Sequence, residues 1–335
     1  MFEEIKNLVE KNYNLEVCNI EKIKNVYKIQ ADNKFYALKV IKYEFSHFIY
    51  IYKAMKHLQS NGYDRIPEFI PTKDGMDYIS FLGKYAYLNP WLDARESNYD
   101  NFVDMYLATS NLAKLHLSSQ GFSVNKNMKP RIGWLRWIKT FSTRKDEILD
   151  FKRRISEKSN KSLFDMEYLS IMERELKRCE KSITKLQRSS YEKLMRQEIK
   201  NNGFCHHDYA NHNVLINKEN NVYLIDFDYC ILDTHLHDLC SLLIRRMKDG
   251  KWSIFNALDI LKIYDEINPI YNDEIPVMAG FMEFPQAYWQ LGIQYYWERQ
   301  PWEEEAFIKR LKRYALDIEQ REEFINDFIK LDVFN

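Results

Sequence analysis

Between Phe204 and Cys230 the chain reads FCHHDYANHNVLINKENNVYLIDFDYC. Asp208, Asn213 and Asp226 stand there in an order and spacing that suit phosphoryl transfer, with His206 two residues ahead of Asp208. That chemistry needs a carboxylate to orient or deprotonate an attacking hydroxyl, the role open to Asp208. It also needs an amide oxygen and a second carboxylate to hold Mg²⁺ against the phosphates, the roles open to Asn213 and Asp226. The segments 213–216 and 222–225 are short and apolar, and the turn 217–221 is rich in Lys, Glu and Asn, so the spacing predicts a β-hairpin. Asp208 and Asn213 lie just before it and Asp226 just after, which brings three polar groups to one end of a rigid element.

A phosphate site also needs a lysine, and the stretch KFYALKVI at 34–41 offers one. As a strand it places Phe35, Ala37, Lys39 and Ile41 on one face. Ala37 is then small enough to roof an adenine ring while Lys39 reaches the phosphates of ATP or another nucleoside triphosphate. An Ala-x-Lys pair is common and gains meaning only beside the Asp208–Asp226 block.

The elements that must hold these residues follow from periodicity and turn chemistry. Residues 2–12 carry apolar side chains at Phe2, Ile5, Leu8 and Val9, one face of a short helix. Strands are predicted at 15–20, 26–31 and 34–41, with Asp32-Asn33 as a hairpin turn, and again at 77–82 and 84–88 around Gly83. A helix is expected from His47 to Leu58, closed by Asn61-Gly62. Asn89-Pro90 reads as a break. From Asn101 onward the pattern is mostly helical, with one helix at 107–117 and one or two long charged helices over 165–200. The expected architecture is α+β with two lobes: an antiparallel sheet plus one helix over 1–90, and a helical part over 91–335 that carries the hairpin at 204–230.

Bulk numbers narrow the class. A chain of 335 residues, 45% hydrophobic, can bury a sizeable core. Lys+Arg and Asp+Glu are equal at 49 each, without the net basic footprint of a general nucleic-acid binder. The segment 126–200 is locally basic, with 21 Lys/Arg against 11 Asp/Glu, which suits solvated helix faces or an acidic partner. Five scattered cysteines without a Cys-x-x-Cys pair fit a reducing compartment. The N-terminal stretch lacks the apolar core of a signal peptide, and no apolar run approaches membrane-spanning length, so synthesis and folding in a cytoplasm are expected.

The motifs YALKVIK, AMKHLQSNG, LAKLHLSSQGF, FCHHDYANHNVL, LIDFDYC, HLHDLCSLLIRRM and FMEFPQAYWQLGIQYYWERQPW together cover nearly the whole chain. On them the sequence resembles the aminoglycoside phosphotransferase/choline kinase branch of the protein-kinase-like fold, and within it the CotS-type spore coat proteins. The resemblance implies Asp208 as catalytic base, Asn213 and Asp226 as metal ligands, Lys39 as the phosphate lysine, and Asp228 as a second-metal carboxylate or a support behind the metal. It implies that Asp238 anchors the catalytic loop, that His206 is structural, and that the crossover Leu88–Trp91 offers backbone groups to adenine. It implies ATP and Mg²⁺ as cofactors, other coat proteins as partners, a small hydroxyl compound, sugar or coat protein as acceptor, and a passage from mother-cell cytoplasm to spore coat. Neither nucleic acid nor membrane is expected as a partner.

Two departures bear on turnover. No glycine occurs before Gly62, so the turn 21–26 cannot be a Gly-rich loop over the phosphates. No acidic residue occurs from Phe45 through Tyr63, where a helix glutamate would pair with Lys39; Glu44 is the only nearby candidate and falls in the connection. A scaffold that keeps the fold and an active phosphotransferase both stay open. Five of the eight histidines fall between 206 and 237, which also admits a metal-dependent phosphohydrolase or a zinc clip with Cys205, but neither accounts for the β-rich first part. The aromatic run Tyr288, Trp289, Tyr295, Tyr296, Trp297 and Trp302 is expected to pack helices, with any exposed part available as an assembly surface.

Overall fold

The computed structural model describes residues 2–332 and 334. Its first ninety residues form a five-stranded antiparallel sheet of order β1-β2-β3-β5-β4, with β1 Val17–Ile23, β2 Val26–Ala31, β3 Lys34–Ile41, β4 Ile79–Phe81 and β5 Lys84–Pro90. Alternation along β3 divides the sheet into two faces. Leu38 and its partner Leu88 point outward, under helix α1 (Phe2–Asn12), whose Ile5 and Val9, four apart, are fully buried against them. Ala37 and Lys39 point the other way, toward the second lobe.

The hairpin turns take left-handed backbone, which Asp, Asn and Gly favour. Asp32 (φ 50°) and Asn33 (φ 62°) join β2 to β3, as expected, and Leu82 (φ 49°) with Gly83 (φ 72°) joins β4 to β5. Asn89-Pro90 does not break the sheet. Proline is tolerated there because it ends the strand, opposite Tyr36, and the ladder passes to Trp91, whose N–H donates to Phe35 O. Helix α2 (Phe45–Ser60) runs longer than 47–58 and ends where Gly62 (φ 78°) turns the chain, with Tyr63 N–H on Leu58 O.

Chain 94–96 leaves the small lobe as β6 (Ala94–Glu96), which pairs with β8 (Val214–Asn217) of the anticipated hairpin; β9 (Val222–Leu224) completes this sheet. A further two-stranded pairing joins β7 (Arg131–Ile132) to β10 (Ile231–Leu232) in parallel. The remainder is helical: α3 Phe102–Ser119, α4 Trp137–Ser156, α5 Leu163–Arg188, α6 Tyr191–Asn201, α7 Leu236–Met247, α8 Ile254–Asp265, α9 Ile275–Glu283, α10 Gln286–Gly292, α11 Glu304–Leu316 and α12 Ile318–Phe328. The region 165–200 is therefore two helices, parted at Ser189-Ser190. A capping box between Ser162 and Asp165 starts the first of them.

The late aromatic run packs helices, as expected. Tyr288 lies fully buried on Tyr168 with ring centroids 4.1 Å apart, and each hydroxyl donates to the other residue's carbonyl. Trp297 keeps 44% of its surface exposed. Among the described residues no helix is long and apolar enough to cross a membrane.

Candidate nucleotide and phosphoryl-transfer site

The loop 205–213 is fixed from behind. Asp238, the third residue of α7, is completely buried and accepts the backbone N–H groups of His206 (2.8 Å) and His207 (2.9 Å). Burial alone would raise its carboxyl, yet the imidazoles of His116 and His237 beside it hold it well below the usual carboxylate range. His206 is buried too, and burial lowers its imidazole, so the ring is neutral. Its Nε2–H donates to Ile225 O at 2.9 Å, while Nδ1 accepts the Asp208 N–H at 3.3 Å. The same ring packs edge-on against Phe227 at 4.8 Å, tying the loop to the chain after β9.

At the mouth of this loop Asp208 and Asn213 meet. The Asn213 amide donates to Asp208 Oδ2 (3.1 Å) and to Asp208 O (2.9 Å). The backbone N–H of Ile225 donates to Asn213 O, which sets Asn213 beside Asp226 across the hairpin. Asp226 itself takes a left-handed backbone (φ 64°, ψ 66°) before a single 3-10 turn at Phe227–Tyr229. Asp tolerates that conformation better than most residues.

From the small lobe, Lys39 closes the site. Its Nζ lies 2.7 Å from Asp226 Oδ1 and 2.7 Å from Asp228 Oδ1. Burial alone would lower the ammonium, but the Asp228 and Asp226 carboxylates beside it raise it and keep it charged. Against its own burial, Asp226 is correspondingly lowered by the Lys39 ammonium. The helix that follows carries no acidic residue, and Glu44 does not take that place: its carboxylate pairs with Lys129 at 2.7 Å on the surface. Asp228 instead accepts from Tyr43 Oη at 2.9 Å.

The adenine side departs from expectation. Ala37 sits on the cleft face between Lys28 and Asn89 of the flanking strands. Leu88, however, is buried in the outer core of the sheet, and its carbonyl already accepts the Ile70 N–H. The Trp91 N–H is spent on Phe35, and its indole lies 4.8 Å from the Lys28 ammonium, which also covers Phe35 at 4.6 Å. The sheet alternation that turns Ala37 inward turns Leu88 outward. The turn over the phosphate region is a two-residue hairpin, Lys24-Asn25, with Lys24 at φ 52°.

Two participants lay outside the sequence reading. Tyr43 carries no motif that singles it out. Arg245 does, in retrospect: it follows Asp238 by seven residues on one helix, so both face the loop. Its Nη2 lies 2.8 Å from Asp208 Oδ1, and His212 Nε2 stands 4.0 Å from Oδ2.

The donor set at the mouth, carboxylates and an amide oxygen, is the hard-oxygen set that suits Mg²⁺, and the Lys39 ammonium supplies positive charge to the same carboxylates. The histidine-rich alternatives fit less well. The buried trio His116, Cys205 and Asp238 could converge on a metal. Its donors are engaged, with His116 Nδ1 on Tyr264 Oη at 2.7 Å and the Cys205 thiol on Thr234 O at 3.0 Å. His207 stacks on His237 at 4.2 Å.

Comparison with solved structures gives the same fold. An aminoglycoside phosphotransferase from Alicyclobacillus acidocaldarius superposes with a TM-score of 0.85 at 20% identity, over 96% of this chain and 94% of that one. Spectinomycin phosphotransferase, solved with ADP and spectinomycin, gives 0.67 at 15% identity over 98% of both chains. Choline kinase from Streptococcus pneumoniae gives 0.57 at 14% identity over 96% and 99%. A family profile described as "Spore coat putative kinase YutH" matches residues 6–328. The chain thus belongs to the YutH spore coat family, of CotS type, and has the two-lobed protein-kinase-like fold of the aminoglycoside phosphotransferases and choline kinases.

Proposed function

We propose that this protein is a spore coat component that binds a Mg²⁺-nucleotide in the cleft between its lobes and keeps the groups for phosphoryl transfer. The observation that carries the reading is the meeting of Lys39 with Asp226 across the cleft, beside the hydrogen-bonded pair Asp208–Asn213. Lys39 would neutralise nucleotide phosphates, and Asp226 with Asn213 would hold the metal. Bound there, Mg²⁺ would offset phosphate charge. A nucleotide complex of a protein with this fold, the spectinomycin phosphotransferase with ADP, supports the ligand class. Family membership supports a setting in the mother-cell cytoplasm and then the coat, among other coat proteins.

Transfer to a hydroxyl acceptor, a small compound, a sugar or a coat protein, is the second reading. It is favoured by Asp208, whose carboxylate stands at the mouth of the cleft on a loop that Asp238 and His206 hold rigid. Positioning of this kind supplies most of what phosphoryl transfer asks of a protein. Calorimetric titration with ATP and Mg²⁺ separates the roles. Asp226→Ala should lose Mg²⁺-dependent binding, whereas Asp208→Ala should bind as wild type and lose any transfer. Equal affinity in wild type and Asp226→Ala would overturn the metal assignment.

A further inference from the structure

The helix after Lys39 brings no carboxylate to the cleft, yet Lys39 is not loosely held. Its two carboxylate contacts are equal in length, the one to Asp226 a hydrogen bond and the one to Asp228 an ion pair, and they differ in surroundings. Asp226 is the more open, with 42% of its side chain exposed against 30% for Asp228. Asp228 has a second donor on the same oxygen, the Tyr43 hydroxyl at 2.9 Å. Tyr43 is fixed in turn at the start of α2, where its ring packs edge-on against His47 at 5.1 Å. The His47 Nδ1 is itself hydrogen-bonded to Lys129 O at 2.9 Å. The Asp228 oxygen that faces the ammonium also accepts from a phenol and has little left to offer a metal, while the more exposed Asp226 carboxylate can exchange its ammonium partner.

We propose that Asp228, oriented by Tyr43, takes the place of the missing helix glutamate: it is the resident anchor of Lys39, and it leaves Asp226 with Asn213 as the metal-binding pair. Asp228 and Tyr43 are then positioning residues that act on the nucleotide through Lys39. The anchor comes from the chain after β9 rather than from α2, so Lys39 is tied directly to the larger lobe. Asp226 and Asn213 would hold a divalent cation, and Lys39 would keep its second carboxylate partner at Asp228.

This inference rests on the nucleotide reading for its ligand arm and stands apart from it in a second arm. ADP affinity is measured by calorimetry in EDTA and in excess Mg²⁺ for wild type, Lys39→Met, Asp228→Asn, Tyr43→Phe and the pairs with Lys39→Met. Asp228→Asn should weaken metal-free binding about tenfold and Tyr43→Phe about fivefold. Both should leave the enhancement by Mg²⁺ unchanged, and neither should add to the loss in Lys39→Met. If Asp228→Asn instead binds ADP normally in EDTA and loses the Mg²⁺ enhancement, Asp228 is a metal ligand and the proposal is wrong. If wild type shows no ADP binding even with Mg²⁺, the nucleotide reading falls. In that case, or where binding in EDTA is too weak to measure, urea unfolding of the Lys39→Met/Asp228→Asn cycle decides the anchor. Non-additive losses support it and additive ones overturn it.

Discussion

Asp238 does its work without touching the cleft. It gathers two backbone N–H groups and two imidazoles in a dry environment, where a carboxamide cannot match the carboxylate. Asp238→Asn should therefore cost about 3 kcal/mol of stability at neutral pH, read from urea unfolding. The sign of its pH dependence follows from a folded carboxyl held well below its unfolded value. The contribution is present above about pH 4 and is lost as pH falls through the depressed folded value, so the variant's acid limb should be flatter than wild type. At this scale the sequence was legible where chemistry is written as local spacing. Asp208, Asn213 and Asp226 fall within nineteen residues, and strand alternation alone turned Lys39 toward them. Tyr43 and Asp228 are 185 residues apart, and no spacing rule reaches across that distance.

Elements meet closely at two places that the sequence did not flag. Gly292 ends α10 so tightly against α4 and α5 that a Cβ there would stand 2.5 Å from the Phe151 ring and from Tyr168 Oη. Gly292→Ala should lower stability by roughly 1–3 kcal/mol, seen as a reduced melting temperature with unchanged nucleotide affinity. At the junction of α6, α7 and α9, His235 is clamped between Glu198 (3.2 Å) and Glu274 (3.3 Å). Burial alone would lower the ring, but the two carboxylates raise it from 6.5 to about 10. A raised folded value means stability that is complete below about pH 6.5 and lost as pH climbs through 10. His235→Gln should thus be a few kcal/mol less stable than wild type near pH 6 and close to it above pH 10. Element types were readable from period and turn residues, as β2, β3 and the hairpin after Asn213 illustrate. The extension of β5 through Pro90 was not, because ladder pairing with Tyr36 outweighs the local break.

Across the whole molecule, the resemblance carried by motifs from YALKVIK to the late aromatic run anticipated the two-lobed kinase-like fold and the spore coat family. What motifs could not convey is how the lobes are joined at the site. Among the described residues the small-lobe cation at Asp226 and Asp228 is Lys39, so a nucleotide bound there would draw on both lobes at once and should stabilise the protein as a unit. The most direct test of this account is thermal melting of wild type and Asp226→Ala with ATP, with and without Mg²⁺. Ligand at about one hundred times its dissociation constant should stabilise wild type by ~2.7 kcal/mol in a Mg²⁺-dependent manner, and Asp226→Ala should show no such shift. No stabilisation of wild type at millimolar ATP, or an equal shift in both proteins, would contradict it.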